Sequence, residues 1–307
     1  DAEELKKPSV HVDMPVHADA KDLLETLAAL LKEEQDAGRL PYPLFVGGEG
    51  LRDMDWRETC RMWKETYPVI LPRHMACGDE EPANVYALVK ELSSRLHEGQ
   101  ITVVGNGSAC VAGGHGYIIK KGQRFITNSA IASMGYDLPA AIGACMADHS
   151  QDIILLTGDG SIQMNIQELQ TIIHHRMPIK IFLINNGGYH SIRQTQKNYF
   201  GEPLVGIGVD SGDLSFPDME KLAWAYGYPY LRAEHNSQLG PAIEKALAME
   251  GPVICEIMVS MGQNFEPKSA AKRLPDGTMV SPPLEDLSPF LPEEEMGANM
   301  LIPRIKD

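Results

Sequence analysis

The sequence predicts an α/β fold with a doubly wound, mostly parallel sheet, because short apolar runs alternate with helical segments along residues 81–265. The apolar runs are continuous, as in parallel strands that are buried on both faces. Strands that alternate with helices give one sheet covered on both faces. Strands are predicted at residues 101–104, 125–127, 153–156, 179–184, 253–259 and, with a weaker pattern, 228–232; helices are predicted at 138–146, 166–175, 219–226 and 239–249.

The regions on either side of this sheet predict other kinds of structure. Residues 8–18 alternate like the end of a strand, and an amphipathic helix is predicted from Asp19 to about Gln35. A connector with proline and glycine follows and contains a predicted short helix at 56–66. After residue 265 the chain is proline-rich and acidic, which predicts an extended tail. The predicted organisation is the end of a preceding domain (1–40), a linker (41–80), the sheet domain (81–265) and a tail (266–307).

Composition excludes several classes of partner. The formal net charge of −15 argues against nucleic acid and acidic membrane surfaces, which require basic patches. The five cysteines form no CxxC pair, as is typical of reduced thiols in a cytoplasmic protein. No apolar run approaches the roughly 20 residues of a membrane span. Because the chain does not begin with Met, we expect it to be part of a longer polypeptide.

Polar residues follow two of the predicted strands at their carboxyl ends, where ligands of doubly wound sheets bind. Asp159 offers a carboxylate and Asn186 an amide oxygen, which suit Mg²⁺ or Ca²⁺ but are too few to saturate an octahedral ion. Oxygens of a bound phosphate and water would complete the shell. A helix predicted to begin near Ile162 favours an anion at the same place, and Gly158 and Gly160 allow close approach of a ligand.

Two alternatives compete with this metal–diphosphate site. Asp-Gly and Asn-Asn-Gly are each common in turns, but their joint placement at two strand ends favours a ligand site. A dinucleotide site is disfavoured, because the run from Gly105 to Cys110 lacks the third glycine of GxGxxG, and no GxxxxGK[ST] motif occurs.

The segment GDGSIQMNIQEL followed by INN is similar to the thiamine diphosphate motif, in the form found in acetolactate synthase large subunits. SMGYDLPAAIGA at 133–144 and NNGGYHSIRQTQ at 185–196 extend this resemblance, which covers essentially the whole chain as the C-terminal half of such a protein. It implies thiamine diphosphate and Mg²⁺ as cofactors.

The resemblance also implies roles for individual residues. Asp159, Asn186 and the backbone carbonyl of Gly188 would bind the metal. Met134 would hold the cofactor in its bent, catalytic conformation, or else be an ordinary core residue. The remaining cofactor-binding positions are Asn106, Gly107, Gly158, Gly160 and Ser161.

In the resembled family the cofactor supports decarboxylation of a 2-keto acid such as pyruvate, followed by transfer of the two-carbon unit to an acceptor. The activating glutamate belongs to a pyrimidine-binding domain that is not part of this chain. The resemblance therefore implies an N-terminal pyrimidine-binding half, from the same protein or another subunit, and at least a homodimer. A flavin is left open, because its site would lie mostly in the middle domain of such proteins.

This sequence departs from the synthase pattern around the acceptor. Small residues at 105–109 replace a Gln-His-Gln run, Ser191 and Thr195 replace Met and Trp, and Asp137 replaces Gly. The pattern resembles synthase-like proteins that extend nucleotide-linked ketosugars, which favours a carboligase with a bulky polar acceptor. Acetolactate synthase proper, a simple 2-keto acid decarboxylase and a non-catalytic subunit with the same fold are the alternatives.

Three further residues are candidates for the chemistry of the acceptor. His190 would act as acid or base, or merely pack. His115 would face the substrate, or belong to a loop. Arg193 would bind a carboxylate or phosphate, or pair with a nearby acid. With Ser191 and Thr195, these residues make up the predicted substrate contacts.

Overall fold

The computed structural model describes residues 1–6, 12–39, 56–76, 78, 80–274 and 276–300. The chain divides into two compact units, one of Val69–Lys268 and one of Asp1–Pro68 with Ser269–Asp307. After a 3-10 turn at Glu4–Lys6, the helices are α1 Ala20–Asp36, α2 Trp56–Thr66, α3 Pro72–Met75, α4 Val85–Arg95, α5 Ser108–Gly116, α6 Asp137–Ala147, α7 Asp159–Gln163, α8 Glu168–His174, α9 His190–Tyr199, α10 Met219–Tyr226, α11 Asn236–Ala248 and α12 Glu293–Asn299. The strands are β1 Ile101–Val104, β2 Arg124–Thr127, β3 Ile153–Gly158, β4 Ile179–Asn185, β5 Tyr230–Ala233, β6 Val253–Met258, β7 Lys272–Arg273 and β8 Met279–Val280.

The larger unit is built on a parallel sheet, which confirms the predicted fold class. Within the described chain its six strands have the order β2-β1-β3-β4-β6-β5, and every pairing is parallel. β3 and β4 are buried along almost their whole length, as their mostly apolar sequences predict. Lys180 of β4 is the buried charged exception, and its Nζ donates to the carbonyl of Gly251 over 2.7 Å. The strand order reverses between β1 and β3, which makes the carboxyl ends of these strands the expected ligand site.

Helices cover both faces of this sheet. Apolar side chains of α4, α5 and α11 pack on one face, together with Leu156 and Phe182. Side chains of α6, α7, α8 and α10 pack on the other face, together with Leu155 and Leu183. Neighbouring residues of β3 and β4 thus point into opposite cores, as the period of two in a strand requires.

Three of the longer helices in the larger unit were not predicted from the sequence. α5 (SACVAGGHG) contains three glycines, and α9 (HSIRQTQKNY) is mostly polar. α5 and α9 lack the one-sided apolar pattern from which an amphipathic helix is recognised, so tertiary packing decides their structure. α4 has that pattern, with buried residues Val85, Leu88, Val89 and Leu92 at i, i+3, i+4 and i+7, and was missed although its sequence indicates it.

Two predictions near the ends of elements were wrong. Residues 12–18 form no strand, and residues 8–11 lie outside the described residues. The helix expected to begin near Ile162 begins at Asp159, directly after Gly158. Asp159 therefore lies in the first turn of α7, where its carboxylate is close to free backbone amides.

The smaller unit contains the predicted helices at its start. Asp19 caps α1 by accepting a hydrogen bond from the backbone N–H of Lys21, as its position in the sequence predicts. In the tail, the backbone of β7 pairs antiparallel with that of β8. Trp63 donates from Nε1 to Oδ1 of Asn299 over 2.7 Å, which joins α2 to α12. No described helix is long and apolar enough to cross a membrane.

Candidate cofactor site

A cleft opens at the carboxyl ends of β1, β3 and β4 in the larger unit. Its empty volume, with the open solvent at its mouth included, is about 550 Å³. The residues that line it come from the segments directly after these three strands and from Met134; they are Asn106, Gly107, Ser108, Met134, Gly158, Asp159, Gly160, Ser161, Asn186, Gly188, Tyr189, His190, Ser191 and Ile192. All cofactor and metal positions predicted from the sequence therefore lie around one cleft.

Asp159 is buried at the tip of β3, with 3% of its surface exposed. Its Oδ1 accepts a hydrogen bond from the backbone N–H of Gly160 (2.8 Å), and its Oδ2 accepts one from Gly188 (2.9 Å). Burial raises the pKa of Asp159 to about 6, against the lowering effects of these amides and of Arg193. A carboxylate that is disfavoured by burial gains from a cation beside it.

Asn186, after β4, supplies the second oxygen of the predicted metal site. Its Nδ2 donates to Oγ of Ser108 over 2.8 Å, whereas its Oδ1 is buried without a hydrogen-bond partner. A buried amide oxygen without a partner costs free energy unless a ligand satisfies it. This oxygen and the Asp159 carboxylate border the same cleft and are hard donors of the type that Mg²⁺ prefers.

The described residues contain no group of three or more His, Cys, Asp or Glu side chains able to hold a metal by themselves. A divalent ion at Asp159 and Asn186 would therefore need oxygens from a bound ligand or water. The residues present fit a metal that is shared with a diphosphate.

The loop 186–188 is fixed by the backbone of the following segment. Gly188 has φ +140°, and a Cβ built there would lie within 3.0 Å of the carbonyl oxygen of Ile207. The N–H of Tyr189 donates to that same carbonyl over 2.7 Å. Glycine is thus required at 188 by close backbone contact.

Tyr189 and Met134 narrow the cleft above the turn at Gly160. A Cβ at Gly160 would meet the ring of Tyr189 within 3.0 Å, and the Met134 methyl lies at 3.5 Å from the same point. The hydroxyl of Ser161 accepts a hydrogen bond from the N–H of Gly135 (3.0 Å), which joins the Met134 segment to α7. Met134 therefore borders the cleft beside the turn at Gly160.

Arg193 is 1% exposed and braces the loop 186–188 from behind. It forms a bidentate pair with Asp210, with N–O distances of 2.8 and 2.9 Å. It also donates to the backbone carbonyls of Asn186 (3.2 Å) and Gly187 (3.1 Å). The guanidinium is thus occupied by contacts within the protein. These contacts agree with the second role suggested for Arg193, pairing with a nearby acid.

His190 lines the cleft but has partners at both ring nitrogens. Its Nε2 lies 2.6 Å from the carbonyl oxygen of Gln263, and its Nδ1 lies 3.4 Å from Nη1 of Arg193. A carbonyl only accepts and a guanidinium only donates, so the ring carries its proton on Nε2. Burial lowers the pKa of His190 to about 4. The imidazole is therefore neutral, and an acid–base role would require these hydrogen bonds to open.

The other predicted substrate contacts differ in position. Ser191 and Thr195 are exposed one turn apart on α9, and Ser191 borders the cleft. His115 lies at the far end of α5 from Ser108 and is not among the residues that line the cleft; its Nδ1 lies 3.2 Å from the hydroxyl of Tyr86. Burial lowers the pKa of His115.

Asp137 is fully buried beneath the segment that follows β1. Its Oδ1 accepts from the N–H of Leu138 (3.1 Å), and its Oδ2 accepts from the hydroxyl of Thr157. A Cβ at Gly105 would lie within 3.0 Å of Oδ2. The two departures from the synthase pattern at 105 and 137 are thus in contact, because the carboxylate fills the space that a side chain at 105 would need.

This contact predicts that substitutions at 105 and 137 are coupled. We expect Gly105→Ala to lower the free energy of unfolding by about 1–3 kcal/mol through overpacking. We expect a smaller cost in an Asp137→Ala background, with a coupling of about 0.5 kcal/mol or more in a double-mutant cycle. Gly114→Ala is the matched control, since nothing lies within 4 Å of a Cβ there. Additive costs in urea denaturation would contradict the coupling.

Three residues that line the cleft were not singled out from the sequence. Ser108 begins α5, and Tyr189 and Ile192 lie at the start of α9. Their position directly after the strand ends is the feature of the sequence that could have identified them as residues of the cleft.

Comparison with known proteins agrees with this geometry. Residues 105–257 match the family described as thiamine pyrophosphate enzyme, C-terminal TPP binding domain. The chain is 30% identical over 230 residues to the acetolactate synthase large subunit of Pyropia yezoensis, covering 75% of this chain and 36% of that protein. It is 28% identical over 240 residues to the acetolactate synthase isozyme 2 large subunit of Escherichia coli strain K12, covering 78% and 41%. It is also 29% identical over 265 residues to acetolactate synthase 2, chloroplastic, of Nicotiana tabacum, covering 85% and 37%.

A parallel sheet with a polar cleft at the carboxyl ends of its central strands is typical of ligand-binding α/β proteins. Within that class, this chain belongs to the thiamine pyrophosphate enzymes and carries their C-terminal cofactor-binding domain. The resemblance predicted from the sequence is confirmed. The chain spans less than half the length of these three relatives.

Proposed function

We propose that this chain is the diphosphate-binding part of a carboligase that transfers a two-carbon unit from a 2-keto acid such as pyruvate to a polar acceptor. The observation that carries the proposal is the pairing of a buried carboxylate at Asp159 with the unsatisfied Oδ1 of Asn186 at one cleft. When bound, thiamine diphosphate supplies the electron sink that lets carbon dioxide leave and the remaining unit add to a carbonyl.

Residues of this chain would bind and orient that cofactor. Asp159, Asn186 and the carbonyl of Gly188 would hold Mg²⁺ with the diphosphate oxygens. The turn at Gly158–Ser161 and the segment at Asn106 and Gly107 would contact the diphosphate. Met134 would support the bent conformation, because its flexible apolar side chain borders the cleft. These intact positions favour a catalytic protein over a non-catalytic subunit of the same fold.

The acceptor is proposed to be large and polar, such as a nucleotide-linked ketosugar. Ser191 and Thr195 give α9 an exposed, hydroxyl-bearing face where the resembled synthases have Met and Trp. The Ser191 hydroxyl would donate to a hydroxylated acceptor, whereas Oγ1 of Thr195, which donates to the carbonyl of Ser191 over 3.1 Å, would accept from it. The small size of both side chains leaves room for such an acceptor. Acetolactate synthesis and simple decarboxylation are the competing reactions.

The proposed enzyme needs a pyrimidine-binding half and works as at least a dimer. We also propose a cytoplasmic location, which the free thiols of Cys60, Cys110, Cys145 and Cys255 in the described chain support.

Product analysis of the complete enzyme tests the reaction. With labelled pyruvate and a panel of aldehyde, 2-keto acid and nucleotide-linked ketosugar acceptors, we expect mass spectrometry to detect the labelled two-carbon unit on the ketosugar. Acetolactate as the main product, with ketosugars ignored, would reject the proposed acceptor.

Thr195→Trp tests which face holds the acceptor. The added ring is expected to lower kcat/KM for the large acceptor by about tenfold or more, since a steric penalty of about 1.4 kcal/mol already has that effect. Turnover of pyruvate without an acceptor should change little. Thr171→Trp, away from the cleft on α8, is the control for non-specific effects. If Thr195→Trp lowered turnover of pyruvate alone as much as it lowered kcat/KM for the large acceptor, the acceptor would have to bind elsewhere.

A further inference from the structure

Glu256 is a buried carboxylate on β6 that the proposed chemistry does not use. It is 3% exposed and points to the same face of the sheet as Ile254, whose side chain belongs to an apolar core. A carboxylate in such a place is costly unless both oxygens have partners.

Both oxygens of Glu256 accept hydrogen bonds. Oε2 accepts from the hydroxyl of Tyr230 on the edge strand β5, and Oε1 accepts from Nδ2 of Asn185 over 2.7 Å. Burial, together with Glu256, raises the pKa of Tyr230 above its usual range, so its hydroxyl stays a donor.

Asn185 connects Glu256 to the loop 186–188. Its Oδ1 accepts a hydrogen bond from the N–H of Gly187 over 3.1 Å. The orientation of the amide is unambiguous, because a carboxylate only accepts and a backbone N–H only donates. Gly187 has φ +67°, so this bond holds a backbone conformation that side chains rarely adopt and that places Asn186 and Gly188 around the cleft.

We propose that Glu256 is a positioning residue for the metal site, acting through Asn185 on the loop 186–188. The inference rests on the proposed metal–diphosphate site and adds two residues to it that contact neither metal nor cofactor. Partners of this kind orient the groups that bind a metal and tune its affinity.

Two isosteric substitutions separate this role from general packing. Glu256→Gln keeps the network, because its amide oxygen would accept from Nδ2 of Asn185 while its NH₂ group donates to the hydroxyl oxygen of Tyr230, which can also accept. Asn185→Asp places two carboxylates in contact. The double variant restores every bond, because its side-chain amide at position 256 would accept from Tyr230 and donate to the new carboxylate at position 185. That carboxylate would also accept from the N–H of Gly187.

The test measures binding of Mn²⁺, as a probe for the metal, to the complete enzyme saturated with thiamine diphosphate, by electron paramagnetic resonance of the free ion. We expect Asn185→Asp alone to weaken Mn²⁺ binding by about 10–100-fold, the usual effect of losing such a partner, and Glu256→Gln alone to bind like the wild type. The double variant is expected to recover most of this loss. Glu234→Gln, an exposed acid just past β5, is the matched control and should bind like the wild type.

Thermal unfolding without metal is measured in parallel, so that a loss of fold is distinguished from a loss of affinity. Unchanged Mn²⁺ binding in Asn185→Asp, or a double variant no better than Asn185→Asp alone, overturns the positioning role while leaving the proposed function in place. Failure of the wild type to bind Mn²⁺ overturns the metal site itself, and this inference with it.

Discussion

Asp159→Ala is expected to abolish binding of the metal and, with it, of thiamine diphosphate. The substitution removes the anionic ligand at the tip of β3 and leaves the Asn186 amide as the only side-chain oxygen of the proposed pair. We expect the apparent Kd for Mg²⁺ to rise by more than the roughly 100-fold that loss of an outer-shell partner costs. Isothermal titration calorimetry of the complete enzyme with Mg²⁺ and thiamine diphosphate measures this.

The fold should tolerate this change better than the site does. Removing the carboxylate leaves the amides of Gly160 and Gly188 without an acceptor, which costs stability. It also removes a buried charge that the fold disfavours, as the raised pKa of Asp159 indicates, and this gain offsets part of the cost. Glu220→Ala, in the exposed first turn of α10, is the control. Retained cofactor affinity in Asp159→Ala would show that the metal binds elsewhere.

Gly188→Ala is expected to destabilise the protein more than any other single methyl addition near the cleft. The residue has φ +140°, which L side chains rarely adopt, and its Cβ would overlap the backbone of Ile207 and Gly208. Backbone strain at such a conformation costs about 1–3 kcal/mol. With the cost of the overlap added, we expect the free energy of unfolding to fall by about 3 kcal/mol or more. Urea denaturation of the chain measures this loss.

A matched substitution provides the comparison. Gly143 lies inside α6, with nothing within 4 Å of a Cβ, and its φ is not in the left-handed region. Gly143→Ala is therefore expected to stabilise the protein by about 0.5–1 kcal/mol, the usual gain in a helix interior. If the two variants unfold at the same urea concentration, the loop 186–188 is not packed as tightly against residues 207 and 208 as described above.

Strand positions were predictable because their cause is local. Runs rich in Ile and Leu, as in β3 and β4, belong to strands that are buried on both faces, and the polar residues that end them mark the ligand edge. α5 and α9 were missed for the opposite reason. Their glycine-rich and polar sequences have little intrinsic preference for a one-sided helix, and contacts at the ends of β1 and β4 decide their structure.

The roles of the charged residues around the cleft also depended on distant contacts. Arg193 and His190 follow the motif closely and were natural candidates for substrate binding. Their partners, Asp210 and the carbonyl of Gln263, lie 17 and 73 residues away in sequence. No local pattern reports such pairings, so only the folded chain distinguishes a brace from a free functional group.

The sequence by itself determined the class of fold, the edge of the sheet that binds a ligand, and the residue types suited to a metal–diphosphate. These follow from periodicity and from donor chemistry, which are properties of short segments. The tertiary structure decided which atoms remain free. It left Oδ1 of Asn186 without a partner, engaged Arg193 and His190 internally, and brought Glu256 of β6 against Asn185 of β4. Hydrogen-bond satisfaction depends on groups that are far apart in the chain, and therefore only folding determines it.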